Sequence, residues 1–275
     1  MRVKLWGTRG SLAASGPDTV AYGGDTSAVE LRIDDDTALV LDAGSGIRRL
    51  SDELAHCRRI DVLLTHLHMD HIQGLGFFAP LLDPDVEVHL WGPASPRFTL
   101  EHRLSRYLSP PLFPVRLRDT DNVYVHDLDP GTVELGGATV QADFVVHPGL
   151  TYGYRITADG GTVAYVPDHE PALGAVDFPG DPEWVSGFDL VNGADLLIHD
   201  AQYTEEEYET RRGWGHSTFR HAAALATLAG ASRLVSFHHD PAHDDAMLDA
   251  VAAAIEEWDV PFEFVPGKAG IGFDL

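Results

Sequence analysis

The chain has a single cysteine, Cys57, in 275 residues, so neither an intrachain disulfide nor a cysteine-built zinc site can form. Basic residues are also scarce. Nineteen Lys and Arg face 43 Asp and Glu, for a formal charge of −24. Such a surface repels a long polyanion, so no bulk nucleic-acid partner is expected. A substrate with one or two phosphates is affected less, because bound ions can dominate the local field. No apolar run approaches the roughly 20 residues of a membrane helix, and residues 1–10 lack the apolar stretch of a signal peptide. A cytoplasmic protein with no membrane partner is the expectation. What the chain does have is ample core material, 44% hydrophobic against 23% charged, and fifteen histidines.

Short β-type runs predict strands over 3–6, 27–33, 38–42, 60–65, 86–91, 123–126, 132–135, 139–147, 152–157, 162–166, 196–199 and 233–237. Helical spacing predicts helices over 47–56, 99–108, 217–229 and 244–258, the third capped by Ser217. Residues 168–193 read as loop, and the stretch 93–120, with its Pro110-Pro111 pair, as an excursion from the core. Strands punctuated by helices in two successive sets imply an αββα sandwich of two sheets, with residues 1–275 as one domain.

The strongest local signal is Thr65-His66-Leu67-His68-Met69-Asp70-His71, which follows an apolar strand. Alternate residues of extended chain share a face, so His66 and His68 can reach one ion. As the chain turns into a helix, Asp70 and His71 can reach a second. Imidazole and carboxylate suit zinc first, and also manganese or iron.

This His-x-His-x-Asp-His pattern resembles the signature of the metallo-β-lactamase superfamily, and other segments resemble the family's in order along nearly the whole chain. Asp42, closing Leu39-Val40-Leu41-Asp42, matches the aspartate that supports the histidine ligands. His147 matches the third ligand, Asp168 the bridging carboxylate, and His238 the last histidine, with His239 its competitor. The resemblance implies two divalent ions, one held by His66, His68 and His147, the other by Asp70, His71 and His238, with Asp168 between them. Two ions about 3.5–4 Å apart can activate a water and clamp a displacement at phosphorus or carbonyl carbon. In that arrangement Asp70 and His216 are the expected catalytic residues.

Gly215-His216-Ser217-Thr218, preceded by Leu196-Leu197-Ile198-His199-Asp200, resembles the ribonuclease Z-like branch, where this histidine sits at the scissile phosphate. The branch's tRNA-gripping arm lies between the third ligand and the bridging aspartate. Here those positions, 147 and 168, are only 21 apart, which leaves no room for it. The pattern is closer to armless relatives that act on small cyclic phosphodiesters. In so acidic a chain, residues 97–118 form one basic island, with Arg97, Arg103, Arg106, Arg116 and Arg118. A lid offering Arg103, Arg106 and Tyr107 to a phosphate is one reading of it, and a solvated helix is the other. His169 is a further candidate for the substrate pocket. The expected activity is hydrolysis of a small phosphodiester, and family resemblance makes a homodimer reasonable. The alternatives are an RNA-processing nuclease, a lactone or thioester hydrolase, and a binding or sensor module with a degenerate metal site.

Overall fold

The computed structural model describes all residues, 1–275. Its strands are β1 (Arg2–Gly7), β2 (Ala28–Arg32), β3 (Thr37–Leu41), β4 (Arg59–Leu63), β5 (Glu87–Pro93), β6 (Val123–Leu128) and β7 (Gly131–Leu135). They continue with β8 (Ala138–Phe144), β9 (Tyr152–Ala158), β10 (Gly161–Val166), β11 (Leu196–Asp200), β12 (Arg233–Phe237), β13 (Glu263–Pro266) and β14 (Gly272–Asp274). The helices are α1 (Ile47–Leu50), α2 (Met69–Ile72), α3 (Leu100–Leu104), α4 (Phe188–Val191), α5 (Glu205–Arg211), α6 (Phe219–Ala229) and α7 (Asp245–Glu256). None of them is long and apolar enough to cross a membrane.

Two seven-stranded sheets result, ordered β14-β1-β2-β3-β4-β5-β6 and β13-β12-β11-β10-β9-β8-β7. Alternation in the strands supplies each sheet with two apolar faces. Leu5, Leu31, Leu39 and Leu41 of the first sheet meet Val140, Tyr154, Ile156 and Ile198 of the second between the layers. On the outer face of the first sheet, Val40, Val62 and Leu64 pack on Ile47, Leu50 and Ile72. On the outer face of the second, Ala164, Leu197 and Leu234 pack on Leu190, Phe219 and Leu248. Each such leucine withdrawn from water contributes roughly 1.5–3 kcal/mol, so the layers are held by burial on three surfaces. This is the αββα sandwich the pattern implies.

The structure departs from the sequence-based expectation in several places, among them α4, which falls in the stretch 168–193 read as loop. The helix expected over 47–56 is regular only over Ile47–Leu50; Leu54 N–H and Glu53 N–H both return to the Leu50 carbonyl, and Ser51 Oγ bonds back to Ile47 O. A local side-chain bond of that kind competes with the helical ladder, so turns carry the spacing onward. The 99–108 helix likewise shortens to Leu100–Leu104, capped by Thr99. Thr218 rather than Ser217 caps α6, accepting from His221 N–H, because Ser217 Oγ donates instead to His169 O. Helix α5 was not foreseen, although Thr204-x-x-Glu207 forms a complete capping box. Edge strands β13 and β14 were also missed, being short and half exposed.

Segment 93–120 packs closely on the sandwich. Leu100, Leu104, Leu108 and Leu117 are buried in the outer core of the first sheet.

The topology gathers one set of strand ends. Strands β3, β4, β5 and β6 are mutually parallel, as are β10, β11, β12 and β13. Strand β9 is antiparallel to both β8 and β10, so β8 runs the same way as β10. The carboxyl ends of β3, β4, β8, β10, β11 and β12 lead directly into Asp42, the 65–71 stretch, His147, Asp168, Asp200 and His238.

Candidate metal centre

Two groups of ligand atoms form where those strands end, and a third, Asp168, His216 and His238, overlaps both. His66, His68, His147 and Asp168 make one, and Asp70, His71 and His238 the other, with all atoms of a group within 4.8 Å of one another. Asp168 lies between them. Its Oδ1 is 3.0 Å from His71 Nε2 and 3.2 Å from His238 Nε2. Its Oδ2 is 3.7 Å from His66 Nε2 and 3.6 Å from His147 Nε2. One carboxylate therefore presents one oxygen to each triad.

The remaining ring nitrogens fix which lone pairs converge. His71 Nδ1–H donates to Asp42 Oδ2 at 2.8 Å, and His147 Nδ1–H donates to Gly215 O at 2.8 Å, so both Nε2 atoms face inward as acceptors. They meet others of the same kind: His71 Nε2 is 3.2 Å from His238 Nε2, and His147 Nε2 is 3.3 Å from His68 Nδ1. His66 Nε2 is buried with no hydrogen-bond partner at all. Zinc–nitrogen bonds of about 2.0–2.1 Å place tetrahedral ligand atoms roughly 3.3 Å apart. The donor set and its spacing thus fit two divalent cations. His68 is the solvent-facing member, whereas His66, His71, His147 and His238 are buried.

Electrostatics follows from burial and charge. Burial lowers the pKa of His66, His68 and His147, leaving them neutral as ligation requires. Burial also opposes a charged His71, but Asp168, Asp70 and Asp42 outweigh it and raise its pKa. Burial works against the Asp70 carboxylate, yet His71 and His238 hold it well below the usual carboxylate range.

Asp42 is fully buried and holds the centre from beneath. It accepts from Thr65 N–H, Thr65 Oγ1, the His71 ring and Tyr165 OH. It also has a left-handed backbone, φ 59°, as do His238 (61°) and Ser11 (59°), the last donating its N–H to Asp70 Oδ2. Three strained non-glycine residues around one centre are the kind of cost a scaffold carries where geometry matters. Gly10 is required by proximity, since a methyl there would collide with the His238 imidazole. His239 points elsewhere, its ring bonded to Gly267 O, so the choice between the adjacent histidines falls on His238.

His216 joins the centre from the second sheet. Its Nδ1 is 2.7 Å from Asp200 Oδ2 and 4.0 Å from Asp168 Oδ2. Its ring stacks on His238 with centroids 5.0 Å apart and meets His147 edge-on at 5.0 Å. Burial lowers its pKa, but Asp200 and then Asp168 raise it by more. Asp200 was not singled out in the sequence; its place closing the His199-Asp200 strand was the available signal. It also receives N–H bonds from His169, Gln202 and Ser217.

The substrate candidates fare differently. His169 is fully buried and its Nδ1 lies 2.9 Å from His199 Nε2, so it meets no solvent and does not line an open pocket. Arg103 is tied to the Pro93 carbonyl and to Asp127 Oδ1, and Tyr107 OH donates to Gln73 O at 2.6 Å. These three bonds hold both side chains against the scaffold. Of the three, only Arg106 is exposed.

Comparison with known proteins agrees with this architecture. The family profile described as "Beta-lactamase superfamily domain" matches residues 37–239. A protein named ribonuclease Z from Bradyrhizobium sp. (strain ORS 278) is 30% identical over 258 residues, covering 79% of this chain and 85% of its own. The crystal structure of the metallo-beta-lactamase fold protein YhfI from Bacillus subtilis superimposes with a TM-score of 0.72 at 20% identity, over 99% of this chain and 98% of that one. A structure described as a new diphosphatase from the PhnP family gives 0.69 at 19% identity, over 100% and 97%.

Proposed function

The chain belongs to the beta-lactamase superfamily and is a hydrolase of that group, and from that premise we propose that it cleaves a small, cyclic phosphodiester. The observation that carries this reading is the Asp200–His216 pair at 2.7 Å beside Asp168. His216 Nδ1 is committed to Asp200, so the ring's other nitrogen is the one free to give a proton. Two divalent ions, zinc first and manganese or iron next, would be held by His66, His68 and His147 and by Asp70, His71 and His238, with Asp168 shared. When bound they supply Lewis acidity toward phosphoryl oxygens and toward water.

The chain's own residues then account for the rest. Asp42 and Gly215 O orient the ligand imidazoles. Asp200 stabilises the imidazolium form of His216, which protonates the leaving oxygen. Opening a cyclic diester breaks one P–O bond and adds one water, and the proton that water loses restores the one His216 gives. A small substrate is supported by the closed β9–β10 hairpin between His147 and Asp168, which carries no arm, and by the charge of −24. The reading takes 1–275 as one unit, since β1 pairs with β14 and joins the two ends of the chain. Among Arg103, Arg106 and Tyr107, the exposed Arg106 is the one left free to meet a phosphate.

A second reading, an RNA-processing nuclease of the ribonuclease Z type, is favoured by the relative named ribonuclease Z and opposes the expectation that nucleic acid is excluded. One comparison separates them. Zinc- and manganese-loaded protein is assayed on bis(p-nitrophenyl) phosphate, a 2′,3′-cyclic nucleotide and an RNA with a 3′ extension, beside Asp70→Ala and His216→Ala. Turnover of the small diesters, abolished by the first change and reduced on the order of 10²-fold by the second, supports the proposal. Cleavage of RNA alone selects the second reading, and no turnover of any phosphodiester by fully loaded protein rejects both.

A further inference from the structure

Glu170 lies two residues beyond Asp168 and is fully buried, yet no basic side chain pairs with it. Its partners are a phenol and a backbone turn. Oε1 accepts from Tyr208 OH at 2.6 Å and from Gly213 N–H at 2.9 Å. Oε2 accepts from Gly213 N–H at 3.1 Å and from Gly215 N–H at 2.8 Å. The turn folds around the carboxylate because Gly213 and Gly215 both adopt left-handed φ, 84° and 88°, which aims both N–H groups at one point. A buried carboxylate is tolerated only when its oxygens are satisfied in this way, so the turn and the acid fix one another.

The turn has two outlets. The Gly215 carbonyl accepts from His147 Nδ1 and sets the inward face of that imidazole. The next residue is His216. Glu170 N–H meanwhile donates to Val146 O, one residue before His147, and its neighbour His169 receives Ser217 Oγ and donates to Asp200. Residues 169 and 170 are thus bonded to every second-sheet segment of the site except that of His238.

We propose that Glu170 is a positioning residue, whose carboxylate holds the Arg212–Gly215 turn so that His216 and His147 keep their places at the centre. This rests on the reading of His147 as a ligand and His216 as the proton donor. Glutamine at 170 keeps the size but turns an amide N–H₂ toward backbone N–H groups, so at least one bond becomes a donor–donor clash. Expected for a folded Glu170→Gln is a kcat loss on the order of 10²-fold, the scale of a misplaced catalytic group. KM stays within about twofold, since the interaction lost matters in the transition state.

The test has a second readout that does not depend on the substrate. In the cobalt-substituted protein, the visible d–d absorption of Glu170→Gln should differ from that of wild type, because His147 is re-aimed. If no phosphodiester is turned over, the proposed function fails while the spectrum still judges Glu170. Gly213→Ala, at an exposed position with φ 84° and open space for the methyl, loosens the same turn without touching the buried charge. It should lose kcat and shift the spectrum in the same direction, by less. A folded Glu170→Gln with wild-type kcat and spectrum overturns the proposal. If that variant does not fold, an unaltered Gly213→Ala overturns it.

Discussion

At the scale of single residues, the centre depends on partners that never touch an ion. Asp42 collects four donors, and one of them, the His71 Nδ1–H, decides which nitrogen of that ring faces inward. Asparagine there retains the volume but offers only one accepting oxygen. Asp42→Asn is therefore expected to weaken metal binding by about 10–100-fold, measured by competition with a chromophoric chelator; unchanged affinity would remove Asp42 from the role. His199 gives a second expectation. Burial lowers its pKa to about 4, against about 6.5 in an unfolded chain. The unfolded chain therefore takes up a proton between those values that the folded chain refuses. This contribution is intact above about pH 6.5 and is lost as the pH falls toward 4, on the order of 3 kcal/mol at the acid limit. Urea midpoints between pH 7 and pH 4.5 should fall less steeply in His199→Gln than in wild type, and parallel slopes would contradict the assignment. The converging side chains were legible in the sequence because their spacing is local or follows recognisable strands. Asp200 and Glu170 were not, because what distinguishes them is a buried carboxylate bonded to backbone N–H groups that are distant along the chain.

Secondary-structure elements were legible where one face is apolar. Strands β1–β5 and β8–β12 and helices α6 and α7 bury regular stripes and were found with small shifts of their ends. Helix α5 escaped because only Tyr208 of it is buried, so its evidence lay in the capping box and not in periodicity. The 93–120 segment shows the opposite failure. Its prolines and arginines suggest an excursion from the core, whereas its leucines, spaced along a short helix and turns, seat it on the first sheet. Within it the arginines divide by their surroundings. Arg103 is half-buried and bonded to Pro93 O and Asp127, so Arg103→Ala is expected to lower thermal stability with KM for a phosphodiester within about twofold of wild type. Arg106 is exposed and without an ion-pair partner, as are Arg97 and Arg116, and under the proposed function Arg106→Ala should raise KM several-fold. Equal KM values in wild type and Arg106→Ala would remove Arg106 from substrate binding.

For the whole molecule, the centre is also a seam. His66, His68, Asp70 and His71 come from the first sheet, and His147, Asp168 and His238 from the second, so ions held there would tie the two layers at one edge of the sandwich. Without them, Asp70 and Asp168 share a small buried volume with ring nitrogens that face one another at 3.2 and 3.3 Å, a crowding that protonation of His71, favoured by Asp168, Asp70 and Asp42, relieves in part. A ligand that binds only the folded state stabilises it by about 4 kcal/mol when present at 1,000 times its dissociation constant. In a chain of this size each kcal/mol moves the midpoint by roughly 2–4 °C. Exhaustive chelation should therefore lower Tm by about 10 °C, and returning zinc or manganese should restore it. The same treatment of Asp70→Ala, which has lost a ligand to one ion, should produce a smaller drop. A Tm indifferent to chelation in wild-type protein shown to have carried metal would mean that the sheets are closed by their shared core alone, and that the ions serve only the chemistry.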